Sequence, residues 1–220
     1  MAIKGIIFDF DGLICDTEST ELHAWKKLYA DFDLPFPFEE YQKTIGAVHN
    51  DETPLRMLKD IGRKKVNLED ARNRLHYYHS ELVEAEPLRP GVLAYLQDAK
   101  SLGLKIGLAS SSPIAWVSHH LDRLHIMHYF ECIKTLEDVN QTKPDPQLFI
   151  KTLKCLQLLE NEAIALEDSI NGVLASKKAG LITVAVPNKV TQQFNFDIAD
   201  LVLTELTEMP LNDLIHYFNN

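Results

Sequence analysis

Lys4-Gly5-Ile6-Ile7-Phe8-Asp9-Phe10-Asp11-Gly12-Leu13 is the stretch from which the fold can be read. A short apolar run of this kind, bounded by a turn signal, reads as a buried strand. It ends in two acids one residue apart, followed by a glycine. Side chains alternate along a strand, so residues i and i+2 point to the same side, and Asp9 and Asp11 aim two carboxylates into one small volume. Like charges that close repel and persist where something positive sits between them. A hard divalent cation bound through oxygen, a lysine or a shared proton would each serve.

Outward from this strand, the pattern turns helical at Asp16-Thr17-Glu18. Leu22, Trp25, Leu28, Tyr29 and Phe32 recur at helical spacing until Pro35 and Pro37 end the run. Helices are predicted over 38–45, 50–61 and 68–86, with Gly46 and Gly62 as punctuation. Nothing between Asp16 and Glu86 reads as a strand. Pro87-Leu88-Arg89-Pro90-Gly91 then interrupts the chain, and strands begin to alternate with amphipathic helices. Strands are predicted at 104–109, at Glu131-Cys132-Ile133, at 163–166 and at 182–186. Helical stripes run through Val92, Leu96, Ala99 and Leu102; through Ile114, Val117, Leu121 and Leu124; through Leu148, Phe149, Leu153 and Leu156; and over 170–179. This alternation predicts an α/β fold, a doubly wound and mostly parallel sheet covered on both faces. Its core comprises residues 1–15 and 87–220, and residues 16–86 form an inserted all-helical cap. Two short crossings beside one turn describe a lid on a hinge, the kind that excludes water during chemistry.

Composition narrows the partners. The chain has 220 residues and a net charge of −10, and Arg63-Lys64-Lys65 is its one basic triplet. Without a basic footprint, nucleic acid and acidic membranes are not expected partners. No apolar run approaches a membrane span, and the apolar start is cut by Asp9 too early for a signal peptide. Cys15, Cys132 and Cys155 are odd in number and widely spaced, the pattern of reduced, buried thiols. The expectation is a cytoplasmic monomer.

In open parallel sheets, ligands bind beyond the carboxyl ends of the strands, and the polar residues collect there. Asp9 and Asp11 follow the first strand, Ser110 and Ser111 the second, and Glu167 and Asp168 the fourth. Lys143 lies in the loop entering the helix near Pro146. Ser112 suits an N-cap with Pro113 at the first helical position, so the serine turn would lie at a helix amino terminus that favours an anion. Lys143 would neutralise that anion. Four acids could not receive a phosphate without a cation, and Mg2+ suits oxygen donors, with Asp9, Asp168 and nearby Glu167 as ligands. His76 and His79, and likewise His119, His120, His125 and His128, lack a zinc pattern. Trp25 and Tyr29 are read as packing within the cap.

These four pieces, in this order, resemble the haloacid dehalogenase superfamily from Ile3 to about Pro187. Asp9-Phe10-Asp11-Gly12 matches its first motif, Ser110 the second, Lys143 the third and Glu167-Asp168 the fourth. The helical insertion directly after the first motif is similar to that of the subgroup holding phosphoglycolate phosphatase and β-phosphoglucomutase relatives. The resemblance implies that Asp9 is the nucleophile and Asp11 the general acid and base. Ser110 and the Ser111 amide would grip the phosphoryl oxygens, with Lys143 stabilising their charge. Asp9, Asp11 (through its backbone carbonyl), Glu167 and Asp168 would hold Mg2+, and Gly12 and Glu18 would join Ser111 in binding substrate. Leu13 stands where the family often has Thr or Val. The implied activity is hydrolysis of small phosphate monoesters, sugar phosphates foremost, through an aspartyl-phosphate. The implied partner is thus a small phosphorylated metabolite.

Two other readings are weighed. A phosphosugar mutase of the β-phosphoglucomutase kind would carry a histidine on the first cap helix and an arginine in the second cap loop. Anchored on Ala24-Trp25, the histidine position holds Glu21, and Gly46-Ala47-Val48-His49-Asn50 has no matching arginine. A non-catalytic phospho-aspartate switch would place its aspartate on a later strand and have no helical insertion. Hydrolysis is favoured over both. Glu18, His49, Asn50 and Arg56 are the cap residues that could face substrate.

Overall fold

The computed structural model describes residues 2–42, 52–62 and 66–219. The chain divides into two compact units, Met1–Asp16 with Pro87–Asn220, and Thr17–Glu86. The first begins with β1 (Gly5–Phe8), buried along its whole length. A strand covered on both faces has no polar side, which is why Ile6-Ile7-Phe8 does not alternate.

The second unit is helical: α1 (Thr17–Ala30), α2 (Phe38–Gln42), α3 (Glu52–Gly62) and α4 (Leu68–Ala85). Trp25, Leu28 and Tyr29 of α1 pack with Leu55 and Leu58 of α3 and with Ala71 and Leu75 of α4. The Tyr29 hydroxyl donates to the Pro54 carbonyl at 2.8 Å. Asn67 caps α4 by accepting from the Glu69 and Asp70 amides, and His79 lies 3.3 Å from the Thr17 carbonyl oxygen. The predicted helical positions 43–45, 50 and 51, the stretch 46–50 with His49 and Asn50, and the triplet 63–65 lie outside the described residues.

The first unit resumes with α5 (Val92–Ser101), β2 (Lys105–Ala109), α6 (Ile114–Arg123), β3 (Cys132–Lys134), α7 (Gln147–Leu156) and β4 (Ala163–Glu167). It continues through α8 (Ile170–Lys178), β5 (Ile182–Ala185), β6 (Leu201–Val202) and α9 (Leu211–Asn219). The six strands form one sheet in the order β3-β2-β1-β4-β5-β6, with every pairing parallel. Phe8 is in register with Leu108 on one side and with Leu166 on the other. The residues following β1, β2 and β4 therefore leave the sheet at one common edge. Among the described residues, no helix is long and apolar enough to cross a membrane.

The structure departs from the sequence reading at three places. β6 and α9 were not assigned; β6 has two residues, too few for a period to show, and α9 is held by buried Leu211 and Leu214. Pro113, not Ser112, is the N-cap of α6, with no side-chain cap bond. The Ile114 amide at that helix end donates to the Glu137 carboxylate at 3.0 and 3.2 Å, so this amide already faces an acid and is not left for an incoming anion. Finally, Cys132 and Cys155 form a disulfide, while Cys15 stands outside it, buried. The expectation of three reduced thiols fails for this pair because α7 packs on β3 and brings the two Cα atoms to 6.2 Å, a proximity that sequence spacing does not reveal.

Packing of α7 on the sheet depends on Gly107 in β2. A Cβ there would lie 2.6 Å from Thr152 Cγ2 and 2.9 Å from Leu156 Cδ1. Gly107→Val is expected to destabilise the protein by about 1–3 kcal/mol through overpacking, read as a lower urea midpoint at unchanged slope.

Candidate active site

The site grows from the end of β1. The Asp9 amide donates to the Leu166 carbonyl at 3.0 Å, carrying the sheet pattern one residue past the strand, and the Asp9 side chain is buried. The chain then turns at Gly12, whose φ of +75° lies in the left-handed region. A Cβ at Gly12 would also sit 2.0 Å from Asp168 Oδ2 and 2.7 Å from Asn188 Nδ2. Backbone conformation and close approach both require glycine here.

Arg89 fixes this turn from the other crossing. Its guanidinium donates to the carbonyls of Gly12, Val186 (3.1 Å) and Pro187 (3.0 Å), and its own amide donates to the Ile14 carbonyl at 2.9 Å. Burial pushes the Arg89 pKa down, against the opposing pull of Asp168, Asp16 and Glu205.

Beyond the turn lies a buried set of charges. Lys143 Nζ donates to Asp9 Oδ1 at 2.6 Å and lies 2.6 Å from Glu167 Oε1. The second contact matches charges without hydrogen-bond alignment, since Glu167 Oε1 has no aligned donor among the described residues. Ser169 Oγ donates to Glu167 Oε2 at 3.3 Å, and Asn188 Nδ2 donates to Asp168 Oδ2 at 2.6 Å. The Glu167 carboxylate lies over Gly172, where a Cβ would be 1.8 Å from Oε2.

The electrostatics follow from this crowding. Burial pushes the Glu167 carboxyl up to about 8, with Asp9 adding to the rise and Lys143 opposing it. Asp9 is raised too, by burial first and by Asp11, against the lowering pull of Lys143. Burial works against the charge on Lys143, yet Asp9 and Glu167 together hold its pKa above the ordinary lysine value. Lys143 thus faces the Asp9 and Glu167 carboxylates, with buried Asp168 alongside under the pull of Arg89, and two raised carboxyls against one ammonium call for a proton or a second cation. Asp9, Glu167 and Asp168 each offer an oxygen, all within 4.8 Å of one another. A donor set made only of carboxylate oxygens fits a hard divalent ion.

Asp11 turns elsewhere. Its Oδ2 accepts from Ser112 Oγ at 2.6 Å and from Ser110 Oγ at 3.3 Å, and its Oδ1 accepts from Trp116 Nε1 at 3.0 Å. Ser110 Oγ in turn accepts from the Ser112 amide at 3.0 Å. The structure thus brings Asp9, Lys143, Glu167 and Asp168 into one group, with Asp11, Ser110 and Gly12 beside it. Ser111 is exposed on the β2–α6 turn, the Asp11 carboxylate stands outside the trio of candidate metal ligands, and Glu18 and Arg56 lie in α1 and α3 of the helical unit.

Sequence reasoning missed Arg89, Ser112, Trp116 and Asn188. Asn188 had a usable signal, because it follows β5 at the same sheet edge that flagged the other polar residues. Arg89 lies inside the Pro87–Gly91 punctuation, where the flanking prolines and glycine dominate the local signal.

The haloacid dehalogenase-like hydrolase family model matches residues 6–186. The chain belongs to this family. This hydrolase is 41% identical over 218 residues to "Putative phosphatase YhcW" of Bacillus subtilis (strain 168), covering 99% of each chain. It is 30% identical to Hexitol phosphatase B of Escherichia coli (strain K12), covering 97% of both. It is also 30% identical to Beta-phosphoglucomutase of Bacillus subtilis (strain 168), covering 97% of this chain and 94% of the relative. A crystal structure of a "putative beta-phosphoglucomutase" from Thermotoga maritima superposes with a TM-score of 0.82 at 25% identity, covering 97% of this chain and 99% of that one. The relatives are phosphatases and β-phosphoglucomutase-like enzymes of one fold.

Glu167 gives the site a pH signature. Its folded pKa of about 8 lies above the ordinary 4.5, so between these values the native state holds a proton that the unfolded chain has released. That contribution to stability is present at low pH and is lost as pH rises through this window. In metal-free protein, the melting temperature of wild type relative to Glu167→Gln is expected to fall from about pH 5 to about pH 8.5 and then level off. Thermal melts of both proteins across pH check this.

Proposed function

We propose that the protein is a Mg2+-dependent phosphatase of small phosphate monoesters, sugar phosphates foremost, working through an aspartyl-phosphate on Asp9. The observation that carries this reading is the buried Asp9–Lys143–Glu167 group with Asp168 alongside, three carboxylates whose oxygens converge around one lysine-bound aspartate. Such a charge set is suited to receive a cation and then a phosphoryl group.

In the proposed reaction, an Asp9 oxygen attacks phosphorus as the bond to the leaving oxygen breaks. That oxygen takes a proton from Asp11. Water then attacks phosphorus, its proton passes to Asp11, and the acyl-phosphate bond between the Asp9 oxygen and phosphorus breaks. Ester and water become alcohol and inorganic phosphate, and both side chains return to their starting state. Ser110 and the Ser111 and Gly12 amides are assigned to the phosphoryl oxygens, and Lys143 to the charge that grows on them. The Asp9 and Asp168 carboxylates, the Asp11 carbonyl and Glu167 would hold Mg2+, which when bound supplies a counter-charge between nucleophile and phosphate.

Hydrolysis is favoured over phosphosugar transfer. The relative at 41% identity bears a phosphatase name. Glu21, at the cap position where the mutase-type resemblance would place histidine, accepts from the Trp25 indole at 3.2 Å. The mutase reading draws on the β-phosphoglucomutase relative and predicts activation by a bisphosphate with little free phosphate. Wild-type protein with Mg2+ is expected to release phosphate steadily from an aryl phosphate and from members of a sugar phosphate panel. Asp9→Asn should lower turnover on the order of 10³-fold or more, and chelation should abolish it. Undiminished turnover after either change would overturn the proposal.

A further inference from the structure

Asp11 is held by three donors from one short segment: Ser110 and Ser112 on Oδ2 and Trp116 on Oδ1. A carboxylate offers about four lone-pair sites. Both on Oδ2 and one on Oδ1 are filled by the described residues, which leaves one on Oδ1. We infer that Trp116 is a positioning residue for Asp11, its indole N–H and the Ser112 hydroxyl fixing the carboxylate so that this last Oδ1 lone pair is the one presented to the reacting oxygen. The inference builds on the phosphatase reading and concerns a residue that the reading does not use.

Two features of Trp116 suit it to this task. An indole N–H donates and cannot accept, so it orients Oδ1 without competing for the proton that Asp11 must hold and release. A hydroxyl or a water in its place could reverse its bond. The indole is also braced. His120, one helical turn further along α6, meets its ring edge-on with centroids 4.3 Å apart at 74°. His120 is buried, stacks with Phe10 at 6.1 Å and 18°, and accepts at Nδ1 from Arg123 Nε at 3.2 Å. Phe10 lies between Asp9 and Asp11 in the chain. The brace therefore runs in a closed path from the strand end through His120 and Trp116 back to Asp11, and it references the acid to the same backbone that carries Asp9. Locking of this kind is what holds a reacting group in productive geometry.

A leaving-group series tests the assignment. In the first half of the reaction the Asp11 proton goes to the departing oxygen as its bond to phosphorus breaks. Phenolate needs that proton far more than dinitrophenolate does. kcat/KM, which reports steps up to departure of the leaving group, is measured for phenyl, nitrophenyl and dinitrophenyl phosphates with wild type, Trp116→Phe and Ser112→Ala. Trp116→Phe is expected to lose about 10- to 100-fold on phenyl phosphate and no more than about 3-fold on dinitrophenyl phosphate, so that rate depends more steeply on leaving-group acidity. Inhibition by inorganic phosphate should stay within about twofold of wild type, because the phosphoryl contacts remain. Ser112→Ala should skew the series in the same direction and provides the reading should the tryptophan variant fold poorly. Equal losses across the series, with wild type active, overturn the role of Trp116 alone. A wild type inert toward every member removes the phosphatase reading, and this inference with it.

Discussion

The buried Asp9–Lys143–Glu167 charge group, with Asp168 beside it, is the constraint on which the structure turns. Lys143 answers Asp9 and Glu167 at 2.6 Å each, and Asp168 leans on the Asn188 amide at 2.6 Å. Charges this far from water cost several kcal/mol each unless matched. Burial raises the Asp9 and Glu167 pKa values, and the single ammonium between them only partly offsets the rise. An imbalance of this kind suits the acid group to a cation.

The sheet makes that imbalance possible. Phe8, Leu108 and Leu166 lie abreast, so the residues that follow β1, β2 and β4 emerge together above a fully covered apolar layer. The dense packing of that layer, in which Gly107 admits Thr152 and Leu156, gives the charged groups a rigid floor. Arg89 completes the frame by joining the Gly12, Val186 and Pro187 carbonyls, which couples the turn after β1 to the loop that carries Asn188.

How much of this was legible in the sequence depended on how each residue acts. Asp9, Lys143, Glu167 and Asp168 are charged residues just beyond predicted strands or in a loop, so a rule about strand ends was enough to single them out. The parallel core followed from alternation, and β1, β2, β4 and β5 were within reach because they carry apolar runs, while β3 offered only Cys132-Ile133 between charged residues. Trp116, Asn188 and Arg89 act on other side chains or on backbone carbonyls, and nothing in a linear pattern says which carbonyl an arginine will meet across 77 or 98 positions. Ser112 was misread because its local context, a serine before a proline and an apolar stripe, is a genuine capping signal. Tertiary structure gave its hydroxyl to Asp11 instead. The Cys132–Cys155 pairing belongs to the same class, since it is set by how α7 lies on β3.

The clasp between residues 15 and 88 has a wider consequence. Cys15 and Leu88 form an isolated antiparallel bridge, and the Arg89 amide closes onto Ile14, so the strands of chain that leave and re-enter the α/β unit run side by side. Whatever is spliced between them is, to the sheet, a single attachment point with its ends already tied. A chain with this arrangement can exchange, enlarge or shorten the inserted helices without disturbing the sheet from which they depart.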